Sequence, residues 1–595
     1  MSPWTPIKRF WSLLRLDRRE IYFVYFYAIL SGIITLSLPL GIQAIISLIA
    51  GGAISTSLYV LIAVVVVGTT MTGILKVMQL TVTETIQRRI FARSSFEFAY
   101  RIPLIQLDNL QGVYPPELVN RFFDTLTIQK GLPKILMDVS TAILQIVFGI
   151  ILISFYHSFF VIFGLILILV VFLIFRYTAY GGLKTSLKES AVKYEVAHWL
   201  EELARAKHTF KLSDRNSFSL TKTNDLTVNW LNSRKAHFRI LIVQAGSVVG
   251  FKALITGALL AIGSILVVDN QINIGQFVAA EIVVILILNS VEKLIQNMET
   301  IYDVVTGITK IGTVMDLPLD RVDGLKPEED LHQEGIEIEL RNVSFQFEGD
   351  IDKTLDDISL DIAAGEKVCI TGYNRAGKST LIHLLAGMYN EFEGYISVDG
   401  LPFKDLCLYT FRNRIGKYTS GQDLFKGTIE ENILMGRKDP SVAHLIEVSE
   451  MVGLHEFVKK LPKGYNTNLL PGGVNVPGSV RHKIVMARTL ANDPQLMVME
   501  DDLGTLESTD RERLINLLVN PDRHWTFIVV TDDPELAKRC DKVVIMRKGR
   551  IVETGTYQQI RGSEHYDEVF HGKDKHRVSR NARNHTFWTP KFKRV

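Results

Sequence analysis

Three cysteines in 595 residues leave little room for thiol chemistry. Cys369, Cys407 and Cys540 share no CxxC or ligand-like spacing, which argues against a disulfide framework or a thiolate metal site. They read as buried or idle thiols in a reducing cytosol. Net charge is scarce as well. The 66 basic and 63 acidic side chains leave +3, a balance that gives no reason to expect nucleic acid as a partner. A signal peptide is not expected, because the first long apolar stretch far exceeds an h-region and has no cleavage signal.

Apolar residues, by contrast, are plentiful and unevenly spread. They dominate the first half, whereas the second half has the mix of an ordinary soluble domain. A spanning helix needs about 20 apolar residues. The candidates are 21–49, 56–82, 135–156, 159–178, 238–268 and 275–300. Pro39 is expected to kink the first. The short turns 50–55, 157–158 and 269–274 contain no Lys or Arg. The N-terminus and the segments 83–134 and 179–237 are rich in them, with Arg88, Arg89, Arg93, Lys184, Lys188 and Lys193 among many. The positive-inside rule then puts both termini and both long segments in the cytoplasm.

The long segments read as helices that continue out of the bilayer, each broken once, around 103–116 and 208–216. Such breaks suit short transverse helices that meet a soluble domain. Ile7 to Arg19 reads as an amphipathic helix on the inner membrane surface, with lipid as its partner. Inside the spans, Lys252 and Glu292 fall at similar depth when rise per residue is counted from the outer ends. They are expected to pair or to line a central cavity, as an isolated charge there is costly. Glu281 is a third charge within a span.

From about Gly335 the pattern becomes strand-like. Gly372, Tyr373, Asn374, Arg375, Ala376, Gly377, Lys378 and Ser379 read GYNRAGKS, a phosphate-binding loop of the form GxxxxGK[ST]. An apolar strand, KVCIT, precedes it, and a helix-like run beginning at Thr380 follows. The inward backbone N–H groups and the helix N-terminus suit phosphate. Lys378 supplies charge to the outer phosphates, Ser379 a Mg²⁺ ligand, and Arg375 extra charge nearby. The cofactors expected are ATP and Mg²⁺. Phe347, upstream, either stacks on the adenine or packs in the core.

Over nearly its whole length the chain resembles the ABC exporters of the type I fold. The stretches INIGQFVAAEIV and TKIGTVMDLP are similar to the peptide and protein exporters of type I secretion. The resemblance implies an α-helical six-span transmembrane domain fused to an α/β P-loop ABC nucleotide-binding domain. The expected division is an amphipathic helix (1–20), six spans (21–315), a linker (316–335), the nucleotide domain (336–572) and a basic tail (573–595). The tail either skims the membrane or docks a partner. The family further implies a dimer with a second half-transporter, identical or different, and for its secretion members a periplasmic adaptor. Localisation would be the bacterial inner membrane.

Against the family pattern, several site residues differ. The signature LSGGQ is replaced by VPGSV at 476–480, where Pro477 has neither hydroxyl nor N–H. Glu500 falls at the Mg²⁺-binding position and Asp501 at that of the catalytic glutamate. Asp532 takes the place of the switch histidine. The Mg²⁺-coupling glutamine maps to Ser420, with Gln422 two residues on as the alternative. These changes predict hydrolysis weakened by one to several orders of magnitude. Two functions follow: an ATP-driven exporter of peptide, protein or lipid, or a pseudo-ATPase using ATP as a structural or regulatory ligand.

Overall fold

The structure is a computed structural model. It describes residues 15, 17–50, 56–110, 115–214, 217–326, 335–418, 424–437, 441–500, 503 and 506–570. Most of the expected amphipathic helix and the whole basic tail lie outside the described residues. The chain divides into two compact units, Met1–Pro103 with Val113–Leu317, and Leu104–Gly112 with Pro318–Val595.

The first unit is helical. Its main helices are α1 (Arg18–Thr35), α2 (Ser37–Ala50), α3 (Thr56–Arg101), α4 (Asp124–Lys134), α5 (Ser140–Ser154), α6 (Phe159–Arg205), α7 (Phe218–Val268), α8 (Ile274–Gln296) and α9 (Met298–Met315). Together they supply six stretches long and apolar enough to cross a membrane. The α1–α2 break at Leu36 follows from Pro39, which has no N–H to bond the carbonyl of Thr35. Pro133 has a gentler effect. A π-helical turn, Ile135–Val139, absorbs it and joins α4 to α5 without interruption. A reciprocal cap starts α8: Gln276 N donates to Asn273 Oδ1 (2.8 Å), and Asn273 N donates to Gln276 Oε1 (2.9 Å).

The second unit is α/β. A six-stranded sheet has the order β12-β11-β3-β10-β9-β6. Its strands are β3 (Lys367–Gly372), β6 (Ile415–Tyr418), β9 (Leu496–Glu500), β10 (Thr526–Val530), β11 (Lys542–Arg547) and β12 (Arg550–Gly555). All pairings are parallel except β11 with β12. An antiparallel sheet, ordered β2-β1-β4-β5, joins β1 (Ile338–Phe345), β2 (Leu355–Ile362), β4 (Glu393–Val398) and β5 (Leu401–Pro402). Strands β7 (Gly427–Thr428) and β8 (Asn468–Leu469) form a small ribbon.

The central strands are continuous apolar runs because both faces are covered. Their alternation divides them between two cores. Cys369, Met497, Met499, Phe527 and Val529 face one; Val368, Ile370, Leu496, Val498 and Ile528 face the other. The three cysteines are buried.

Leu104–Gly112 lies in the chain between two membrane helices yet folds with the soluble unit. Ile105 bridges Leu319, and the N–H of Asp320 donates to the carbonyl of Leu104 (2.7 Å). Asn390 ties the arrangement together. Its N–H donates to Asp108 (3.1 Å) and its side chain donates to Asp320 (3.1 Å). Burial pushes the Asp108 carboxyl above the usual range, against the pull of the Asn390 and Glu391 N–H groups. The Asp320 side chain is only 6% exposed and pairs with Arg412 at 2.5 Å. Arg412→Met strands that carboxylate and should destabilise the soluble unit by about 3–5 kcal/mol. Adding Asp320→Leu should recover most of the loss. Denaturant unfolding of the two variants checks this, and an equally unstable double variant would count against it.

Candidate functional site: a phosphate cradle at the edge of the sheet

Strand β3 ends at Gly372, and helix α10 (Lys378–Leu385) begins six residues later. The turn between them needs glycine at its two ends. Gly372 has φ +137°, and a Cβ there would lie 2.1 Å from the carbonyl oxygen of Met546. Gly377 has φ +92°, and its Cβ would lie 2.6 Å from the carbonyl oxygen of Thr354. A side chain at either position would therefore displace backbone. Arg375 is left-handed as well, at φ +63°, and it and Asn374 are exposed. Ala376 and Thr380 are buried and anchor the turn. Tyr373 lies under the Arg547 guanidinium, 5.1 Å from its ring centre.

Lys378 folds over this turn. Its Nζ donates to the carbonyls of Gly372 (2.9 Å) and Tyr373 (2.8 Å). Burial lowers its pKa, and the Asp532 carboxylate opposes that shift. Ser379 is exposed at the start of α10. The donors thus fit the expected ligand. A glycine-lined turn at a helix N-terminus offers N–H groups, an ammonium and a hydroxyl, the set a Mg²⁺-nucleotide phosphate requires. Among the described residues no cluster of three or more His, Cys, Asp or Glu side chains could hold a metal ion.

Glu500 ends β9, in register with Val530 of β10. Asp532 follows β10, the strand between β9 and β3. Both acids and the phosphate turn therefore gather at the carboxyl edge of the parallel sheet, where open α/β folds bind ligands. Asp501, Ser420 and Gln422 lie outside the described residues. Phe347 meets Phe345 edge-on at 4.9 Å and Tyr389 edge-on at 5.6 Å, so it packs into an aromatic cluster while remaining partly exposed.

The VPGSV stretch opens helix α11 (Gly478–Leu490). Pro477 sits at its N-cap and makes no side-chain capping bond. Val480 is buried in the core. The turn before the helix is held by Asn475, which accepts from Leu470 N (2.9 Å) and donates to the carbonyl of Asn468 (3.1 Å).

Lys417 is a residue the sequence reading did not single out. It pairs in register with Val498, so alternation puts its side chain on the same face as Glu500. Burial pushes its pKa down to about 8, with Glu500 opposing and Arg412 adding to the shift. The only signal in the sequence is a lysine inside the strand IGKY. Between pH 8 and the ordinary lysine value, the unfolded chain keeps a proton that the folded chain has lost. Stability therefore rises with pH through that window, and the full cost stands below it. Lys417→Met should stabilise nucleotide-free protein at pH 7 by on the order of 1–3 kcal/mol, allowing for partial solvent access. The gain should fade by about pH 10. Unfolding curves at both pH values check this; an undiminished gain contradicts it.

The comparisons with known proteins agree with this geometry. The ABC transporter family profile matches residues 355–502. The ATP-dependent lipid A-core flippase of Legionella pneumophila (strain Paris) is 26% identical over 402 residues, 67% of each chain. A putative multidrug export ATP-binding/permease protein of Bacillus subtilis, YgaD, is 28% identical over 308 residues, 51% of this chain and 52% of its own. The solved structure of a bacterial Atm1-family ABC exporter with ATP bound superposes with TM-score 0.81 at 17% identity, covering 96% of this chain and 99% of that one. The chain is an integral membrane protein with six apolar helices followed by an α/β ABC transporter domain, in the fold of a solved ABC exporter.

Proposed function

We propose that the protein is an ATP-powered exporter subunit of the bacterial inner membrane, with its nucleotide domain in the cytoplasm. The observation that carries this reading is the Gly372–Thr380 turn, with Lys378 folded across it, on a chain with six spans. ATP binds with its outer phosphates against Lys378, and Mg²⁺ is held by Ser379 and Glu500, with Ser420 or Gln422 adding a ligand. By the family pattern, Asp501 takes the place of the catalytic glutamate and Asp532 that of the switch histidine. One methylene fewer on Asp501, and a carboxylate in place of an imidazole at 532, make turnover slow. The working form is a dimer with a second half-transporter, because one chain carries only half of each family-type ATP sandwich. The relatives carry transporter names, which favours export over a purely structural or regulatory use of ATP. Lipid or peptide cargo fits the cavity described below.

Inside-out vesicles containing the protein test the proposal. Fluorescent lipid or peptide should move inward only with external ATP, and Lys378→Ala should stop it. Movement that needs no ATP, or that survives the substitution, contradicts the proposal.

A further inference from the structure

A cavity of about 770 Å³ opens in the membrane unit. Its walls come from α7, α8 and the first turn of α9. Leu241, Ala245, Val248, Val249, Ala253 and Ile295 make most of it apolar. An ion pair faces this apolar space: Lys252 Nζ lies 3.1 Å from Glu292 Oε2. The two charges are at matching depth, about 24–27 Å along their helices from the Val268–Ile274 turn. Lys252 also donates to Asn289 Oδ1 (3.2 Å), and Gln296 Nε2 donates to the other carboxylate oxygen of Glu292 (3.1 Å). At one end, Glu299 is engaged by Arg234 (3.0 Å), which also reaches Glu189 (3.5 Å).

Neither member of the Lys252–Glu292 pair is sealed. Their side chains are 42% and 40% exposed, and both line the cavity. A ligand with a single charge would draw one partner away and leave the other uncompensated beside apolar walls, which is costly. A ligand carrying an ammonium and an anion on neighbouring atoms strands neither charge. Its ammonium takes Glu292, its carboxylate or phosphate takes Lys252, and its apolar part lies along Val248, Val249 and Ala253. The polar contacts set orientation and the walls supply area, as in ligand pockets generally.

We propose that this cavity binds an amphipathic zwitterion, with Lys252 and Glu292 reading its two charges. The proposal deepens the exporter reading by naming the class of cargo. Two sources share this chemistry: a zwitterionic lipid headgroup and a short apolar peptide with free termini.

Full-length protein in detergent, without nucleotide, separates the cases by calorimetric titration. Four probes are used: short-chain phosphatidylethanolamine, its phosphatidylglycerol counterpart, free trileucine, and trileucine blocked at both ends. At least one zwitterion should bind ten times or more tighter than its partner probe of the same apolar content. The responding pair identifies the source as lipid or peptide. In the neutral double variant Lys252→Met/Glu292→Gln the preference should fall to twofold or less. Ala253→Phe keeps the pair, fills the space and should weaken zwitterion binding at least tenfold, which keeps the test open if the double variant fails to fold. Equal binding within both probe pairs overturns the proposal, as does a preference that survives the double variant or zwitterion binding that Ala253→Phe leaves undiminished. ATP binding at Lys378 is measured on the same samples. Its loss alone would count against the exporter reading and leave the cavity result standing.

Discussion

Lys378→Ala should weaken ATP binding by about ten- to ten-thousandfold while leaving the nucleotide-free fold intact. The ammonium donates to the Gly372 and Tyr373 carbonyls. A bound phosphate exchanges these neutral acceptors for charged ones, and a charge-assisted contact contributes about 1.5–3 kcal/mol. Loss of one or two such contacts corresponds to about one to four decades in affinity. The fold should tolerate the change. Gly372 and Gly377 shape the turn through φ angles of +137° and +92°, and the anchors Ala376 and Thr380 stay in place. Titration with ATP·Mg²⁺ gives the affinity, and the melting temperature without nucleotide should move by no more than a few degrees. A variant that binds ATP like the parent would move the phosphates away from this turn.

The second large effect concerns turnover. Restoring the family's residues through Pro477→Ser, Ser479→Gly, Asp501→Glu and Asp532→His should raise ATP hydrolysis by one to three orders of magnitude. Each substitution addresses a separate physical deficit. Pro477 caps α11 without a side-chain bond, and serine restores both a hydroxyl and an N–H. Glycine at 479 restores close backbone approach. Glutamate at 501 regains the reach a general base needs. Histidine at 532 removes a carboxylate that now stabilises the charge on Lys378 and gives the γ-phosphate a donor instead of a second anion. The changes act on one site, so their effects should not add. Asp501→Glu alone should give part of the gain, and Asp532→His alone should also relieve repulsion toward nucleotide. Steady-state phosphate release checks the series. Equal rates in parent and restored protein would mean that these positions do not limit the reaction.

Much of the site was legible because local chemistry dictates it. A glycine pair with a lysine between a buried strand and a helix has few other uses, and the loop folds as GYNRAGKS suggests. Pro39 fixes the helix break through its missing N–H. The Lys252–Glu292 pair was legible from helical rise alone, because regular helices convert residue counts into depth.

What escaped depends on pairing between distant segments. Lys417 shares a sheet face with Glu500 only because β6 and β9 run in one register, which a single strand sequence does not specify. The break around 103–116 was expected to meet the soluble domain, and Leu104–Leu110 folds with it, but its partners Leu319 and Asp320, about two hundred residues on, are not written in either segment. Phe347 was left between two roles, and its edge-on contacts with Phe345 and Tyr389 favour packing.

The most direct test of an ATP-powered exporter is ATP turnover by the full-length protein in lipid nanodiscs, compared with Lys378→Ala. Slow, Mg²⁺-dependent turnover that vanishes in the variant is the predicted result. ATP bound but never hydrolysed, with or without a partner half-transporter, would contradict it.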